Sequence, residues 1–308
     1  MPDPFGDRLA AAVQATGSHL VVGLDPDLAG LPPELLDGAE DLAGAAAAVE
    51  AFCGAVIDGV AGAVPAVKPQ SAFFEALGSA GVAALEATIA RARAAGLLVI
   101  EDAKRGDIGS TMAAYAAAAL GTVRVGGRDL PVHDSDAVTV SPYLGPESLA
   151  PMIDAARGRG KGLFVLVRTS NPGSGELQEA AGPDGKPLHA RVAAMVDRLG
   201  AGGLGATGYS DVGGVTGLTY PEDAPRLRAL MPRAWLLVPG LGAQGGRPED
   251  FAAFLNPDGL GAVANASRSV AGAWQAQPAG GPALARIRTA AGEAARATSA
   301  ALRAAIGA

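Results

Sequence analysis

Short apolar runs alternate with alanine-rich stretches of helical periodicity along almost the whole chain. Eight runs of five to seven residues read as strands, at residues 19–25, 64–69, 97–103, 137–141, 163–169, 212–218, 234–239 and 261–265. Helical patterns fall between and after them, at 42–60, 81–95, 111–120, 147–157, 188–199, 221–230, 248–255 and 282–305. Such regular alternation implies parallel strands covered by helices. Eight is the number a closed parallel barrel needs, and a doubly wound open sheet is the rival arrangement. Charged and glycine-rich residues recur at the C-terminal ends of strands drawn from the whole chain, whereas an open sheet gathers its ligand contacts near one crevice. The pattern therefore predicts a (β/α)8 TIM barrel, one α/β domain over residues 1–308. Residues 121–134, GTVRVGGRDLPVHD, read as an insertion between a helix and a strand, and the long non-periodic piece 170–186 reads as an active-site loop.

Composition narrows the function. The 308 residues carry a net charge of -7, so a nucleic-acid or anionic-membrane surface is disfavoured and any anionic ligand must be held by a local cluster. The single cysteine, Cys53, excludes an intrachain disulfide and suits a reducing cytoplasm. His19, His133 and His189 stand far apart with no Cys or His at metal-ligand spacing, so each reads as an ordinary surface or loop histidine and no structural metal is expected. The N-terminal MPDPFGDRLAAAV lacks the order of a secretion signal, and no charge-free apolar run reaches membrane-spanning length. The expectation is a cytoplasmic protein.

The most informative stretch is 97–111, LLVIEDAKRGDIGST, an apolar run that turns charged at its end. Alternate side chains on a strand share a face, so Asp102 and Lys104 point one way while Glu101 and Ala103 point the other. A lone Asp-x-Lys is ordinarily a structural ion pair. Here a second carboxylate follows at Asp107, and Lys68 stands at the end of the preceding strand, two residues before Gln70. Charges gathered at strand ends are costly to bury and mark a site. Aligned ends would bring Lys68, Asp102 and Lys104 together as alternating charges, a network that holds a lysine protonated and in place for proton donation to carbon.

Other strand ends add to the picture. The first closes in GLDP, with Asp25 at the expected catalytic face. After the seventh and eighth come VPGLGAQGG (238–246) and NASRS (265–269). In barrels this pair of loops commonly binds phosphate through backbone N–H groups, and Arg268 adds a planar cation suited to phosphate oxygens.

DAKRGDIGST at 102–111 resembles the signature of the orotidine 5′-phosphate decarboxylase family, Asp-x-Lys-x-x-Asp-Ile followed by a Thr. The resemblance runs from GLDP through VKPQSAFFE (67–75), RTSNPGS (168–174) and VPGLGAQGG to NASRS, and the VKPQSAFFE wording and the length resemble a bacterial subgroup with longer loops. It implies a (β/α)8 barrel, a homodimer, and cofactor-free, metal-free conversion of orotidine 5′-monophosphate into UMP and CO2, the last step of de novo pyrimidine nucleotide synthesis. Carried over by position, Lys68, Asp102, Lys104 and Asp107 form a charged tetrad with Lys104 as proton donor to C6. Asp107 reaches the partner subunit's site beside Ile108 and Thr111. Asp25 stands near the ribose, Ser170 at the pyrimidine, and Gln244 and Arg268 at the phosphate.

Three other readings compete. A Mg2+-dependent phosphosugar decarboxylase or synthase shares the Asp-x-Lys-x-x-Asp pattern, with Glu75 as a conceivable ligand, but the Ile-Gly-Ser-Thr continuation and RTSNPGS fit the pyrimidine enzyme. Class I aldolase chemistry through Lys104 is disfavoured because an ion-paired lysine is a poor amine nucleophile. A non-enzymatic ligand-binding barrel would not require the full tetrad.

Overall fold

In the computed structural model, which describes residues 2–242, 245–278 and 280–307, eight parallel strands close into a barrel in the cyclic order β1-β8-β7-β6-β5-β4-β3-β2. They are β1 (Leu20–Leu24), β2 (Ala66–Pro69), β3 (Leu98–Arg105), β4 (Ala137–Val140), β5 (Gly162–Arg168), β6 (Val212–Thr216), β7 (Leu236–Pro239) and β8 (Ala262–Ala266). The strands are nearly continuous apolar runs because both of their faces are covered. Val21, Ala66, Ile100, Ala137, Phe164, Leu237 and Val263 point into the barrel, and the alternate set, including Val22, Val67, Val99, Val138 and Val165, packs against the helices.

Helices occupy the predicted stretches with shifted ends. The long one, Leu42–Val60, is capped by Asp41, whose carboxylate accepts the Gly44 N–H at 2.8 Å. By length and composition it could cross a membrane, but it carries Glu50 and Asp58 and packs beside helices Gly78–Ala94 and Ala283–Ile306 in the outer ring. The pattern at 221–230 divides into a 3-10 turn and the helix Ala224–Leu230, and that at 248–255 into Pro248–Phe251 and another 3-10 turn. Within 121–134 a hairpin pairs Val123–Val125 with Arg128–Leu130 across Gly126 and Gly127, both at positive φ as a two-residue turn requires. The segment 170–186 contains the short helix Ser174–Gln178.

The helix Phe5–Thr16 was not among the predicted elements. Its Phe5, Leu9 and Val13 lie four residues apart, form one stripe, and join the inward residues at the N-terminal ends of the strands. Trp235 donates its indole N–H to the Gly6 carbonyl at 3.1 Å, and Phe5 meets Phe164 edge-on at 5.9 Å. This helix closes the end of the barrel opposite the charged residues.

The histidines also depart from expectation. His19 and His189 are buried, each with a ring nitrogen donating to a backbone carbonyl at 2.9 Å, that of Gly259 and of Gln178 respectively. Burial lowers both pKa values and so favours the neutral imidazole, although His189 Nε2 is left buried with no partner among the described residues. His133 is not a free loop histidine either: its Nδ1 lies 3.1 Å from the Glu101 carboxylate.

Candidate active site

At the C-terminal mouth the inward positions of β2, β3, β4 and β8 change from apolar to polar, and with the apolar Leu166, Val215 and Leu237 they surround a cavity of about 520 Å3. Asp102 is its organising group. Lys68 donates to Oδ2 at 2.6 Å and Gln70 to the same oxygen at 3.0 Å. Lys104 donates to Oδ1 at 2.6 Å and the Thr139 hydroxyl to that oxygen at 2.9 Å. Burial opposes ionisation of Asp102, but the Lys68 and Lys104 ammonium groups and their hydrogen bonds outweigh it and hold the carboxyl down at about 2. Lys68 and Asp102 are buried, whereas the Lys104 side chain is 46% exposed towards the cavity mouth.

Lys104 reaches Asp102 by a route that strand alternation does not anticipate. Glu101 pairs with Val138 and Arg105 with Val140, so β3 bulges between them, and Lys104 stands in the left-handed region at φ 48. Its N–H donates to Thr139 Oγ1 at 2.9 Å. Just past the strand, Gly106 lies against Ser141, where an added Cβ would come within 3.1 Å of the serine Cβ. On the outer face of β3, Glu101 accepts from Ser71 at 3.2 Å, from Ser135 at 3.0 Å and from His133. Burial opposes its charge, yet these bonds keep its pKa low while Glu101 raises that of His133. The strand that presents Asp102 is thus anchored from both sides.

Asp25, Ser170 and Arg268 line the same cavity. Asp25 Oδ1 is buried with no hydrogen-bond partner among the described residues, and Arg268, which begins the short helix Arg268–Ala271, makes no ion pair among them. Gln244 lies outside the described residues. Asp107, Ile108 and Thr111 do not line the cavity of their own chain: Asp107 accepts the Ile108 N–H at 2.8 Å, Ile108 is 61% exposed, and Thr111 is exposed. Glu75 is also outside the cavity, ion-paired with Arg105. Among the described residues no three His, Cys, Asp or Glu side chains group as a metal site would need.

Thr139, Asn265 and Gln178 are among the cavity residues that were not singled out from the sequence. Thr139 was detectable as a polar side chain at an inward position of β4, two residues after inward Ala137. Asn265 stands likewise two residues after inward Val263; it is 8% exposed, and its Oδ1 has no partner among the described residues. Gly23 makes room beside it, since a Cβ there would meet Ser267 Oγ at 2.0 Å. Gln178 had no local signal. Its side-chain oxygen accepts the Thr169 N–H at 2.9 Å and its amide donates to Thr169 Oγ1 at 2.7 Å. Behind it, buried Arg168 stacks on Tyr220 at 3.9 Å and donates to Ser174 at 3.1 Å, tying the loop after β5 to the barrel.

Fold and cavity together define a (β/α)8-barrel enzyme with its charged groups at the C-terminal mouth. The chain belongs to the Orotidine 5'-phosphate decarboxylase / HUMPS family, whose sequence model matches residues 18–279. It is 50% identical over 268 residues to the orotidine 5'-phosphate decarboxylase of Rhodopirellula baltica, covering 86% of this chain and 87% of that one. With the Deinococcus radiodurans protein of the same name it shares 43% identity over 277 residues, 88% of this chain and 90% of the relative. The structure of Leishmania donovani OMP decarboxylase superposes with a TM-score of 0.76 at 32% identity, covering 99% of both chains.

The Asp102 environment makes a prediction about acid stability. Asp102→Asn removes the counter-charge of buried Lys68 and should destabilise the protein by on the order of 3 kcal/mol at neutral pH in urea unfolding. Because the folded pKa is depressed, the Asp102 contribution is complete above its ordinary value of 3.8 and is lost as the pH falls towards about 2. The stability gap between wild type and variant should therefore shrink over that window. A gap that stays constant through it would show that Asp102 is not held as an ion.

Proposed function

We propose that this protein decarboxylates orotidine 5′-monophosphate to UMP and CO2, the closing step of pyrimidine nucleotide synthesis, with Lys104 as proton donor to C6 and with no metal or organic cofactor. The observation that carries the reading is Asp102 held between Lys68 and Lys104, 2.6 Å from each, in the wall of a cavity that also contains Arg268. A cavity of about 520 Å3 is of the size that takes a small ligand such as one nucleotide.

Breaking the bond from C6 to the carboxylate releases CO2 and leaves an electron pair in the plane of the ring, where no adjacent π system delocalises it. The enzyme must then supply stabilisation on the order of 20 kcal/mol. Lys104 stabilises the developing charge, then transfers its proton to C6, and its half-exposed side chain recovers a proton from solvent. Asp102 fixes the ammonium through its Oδ1 at 2.6 Å. Asp25 is the ribose contact, and its buried unpartnered oxygen supports this as an acceptor awaiting a hydroxyl. Ser170 faces the pyrimidine, while Arg268 and Gln244 hold the phosphate, so that binding energy far from C6 positions the ring.

The reading includes a homodimer. Asp107, Ile108 and Thr111 lie outside their own cavity, and the helix that contains Thr111, Gly109–Ala119, leaves Ala113, Ala114 and Tyr115 exposed. Covering this face with a second copy would deliver Asp107 to the partner's lysines and complete the tetrad. We take the chain as a single barrel domain acting in the cytoplasm, a location that the buried free thiol of Cys53 suits.

The reaction is tested by incubating the purified protein with orotidine 5′-monophosphate and excess EDTA. UMP and CO2 should form at the undiminished rate. No turnover, or turnover only after Mg2+ is restored, would instead favour the metal-dependent phosphosugar reading.

The shared site is tested by mixing. Lys104→Ala and Asp107→Ala homodimers should each be nearly inactive. Dimers reassembled from one of each would contain one doubly damaged site and one intact site, and should regain activity approaching half that of wild type. Verified mixed dimers as inactive as their parents would place Asp107 at its own subunit's site or make the two sites obligatorily coupled.

A further inference from the structure

Thr139 is 1% exposed at the C-terminal end of β4, flanked by Val138 and Val140, and lines the cavity. Its hydroxyl touches both parts of the ion pair that matters most. It lies 2.9 Å from the Lys104 backbone nitrogen and 2.9 Å from Asp102 Oδ1. An amide N–H can only donate and an ionised carboxylate can only accept, so the hydroxyl accepts from the first and gives its one hydrogen to the second. With the bond from Lys104 Nζ to the same Asp102 oxygen at 2.6 Å, the links close a ring that begins and ends on Lys104.

That ring replaces what a regular sheet would supply. Glu101 pairs with Val138 and Arg105 with Val140, so four steps of β3 are matched by two of β4, with Thr139 at the centre of the mismatch. Lys104 therefore loses its ladder contact and takes a φ of 48, a conformation that non-glycine residues seldom adopt. The group that receives its N–H is the Thr139 side chain. Valine has the same shape and a strand propensity at least as good, and both neighbours are valine, so packing alone does not call for a hydroxyl here.

We propose that Thr139 is a positioning residue for the proton donor: by joining the Lys104 backbone to Asp102 it fixes where the Lys104 ammonium meets C6. The inference rests on the decarboxylase reading above and extends it to a residue outside the charged tetrad. Lys104 needs such help because its side chain is 46% exposed and flexible, whereas Lys68 is held by burial. Thr139 acts at the reacting end of the cavity, so its loss should slow the chemical step while leaving the grip on the phosphate intact.

The test compares Thr139→Val and Thr139→Ser with wild type in kcat and KM for orotidine 5′-monophosphate, in UMP affinity and in urea unfolding. Removing a hydrogen bond to a charged group should lower kcat of Thr139→Val roughly 10- to 100-fold. UMP affinity should change by less than about 3-fold, and Thr139→Ser, which keeps the hydroxyl, should return kcat to within about 3-fold of wild type. If Thr139→Val is not recovered folded, Thr139→Ala should show the same division between kcat and UMP affinity. Wild-type kcat in a variant without the hydroxyl would overturn the proposal. So would losses of kcat, UMP affinity and stability that move together and are not rescued by serine, since those mark a packing residue. An inactive wild type would overturn the decarboxylase reading itself, and is distinguished by that control.

Discussion

Burying Asp102 between Lys68 and Lys104 sets one negative charge against two positive ones in a cavity whose floor is apolar, and such a group is tolerated only if every desolvated atom finds a partner. Four donors meet that demand, two on each carboxylate oxygen. They come from three adjacent strands, so the position of Asp102 registers β2, β3 and β4 against one another at their ends. The unbalanced positive charge left over is suited to a reaction that develops negative charge, and a carboxylate arriving from a second chain would neutralise it.

The barrel separates this costly polar layer from the layer that holds the fold together. Phe164, Trp235 and Val263 fill the lower interior under the helix Phe5–Thr16, where conserving shape and volume is all that packing requires. Polar groups take the last inward positions of β2, β3, β4 and β8, while Leu166, Val215, Leu237 and Pro239 keep the β5 to β7 side of the cavity apolar. Loops carry the rest, and they are tied down from behind, by Arg168 and Gln178 after β5 and by the Glu101 cluster beneath β3.

Much of this was legible in the chain itself. Continuous apolar runs located all eight barrel strands because each is buried on both faces, and period-3.6 patterns located the helices because each is buried on one. The Lys68, Asp102 and Lys104 array was readable because charges at the ends of apolar runs have few structural uses. What escaped notice depended on long-range geometry. The bulge at Lys104 is set by β4, 35 residues downstream, and nothing local marks it. His19 and His189 looked like surface residues because a single backbone carbonyl, invisible in sequence, is what makes their burial possible. The N-terminal helix did carry a signal, the spacing of Phe5, Leu9 and Val13, within a stretch weighed only for targeting.

The central claim is that the Lys104 ammonium, held by Asp102, is the group that faces the reacting carbon. A crystal structure of the protein with UMP bound tests it most directly. The account predicts C6 within about 3.5 Å of Lys104 Nζ, the lysine still paired with Asp102, and the phosphate against Arg268. A pyrimidine ring whose C6 points at another wall of the cavity, with Lys104 out of reach, would contradict it.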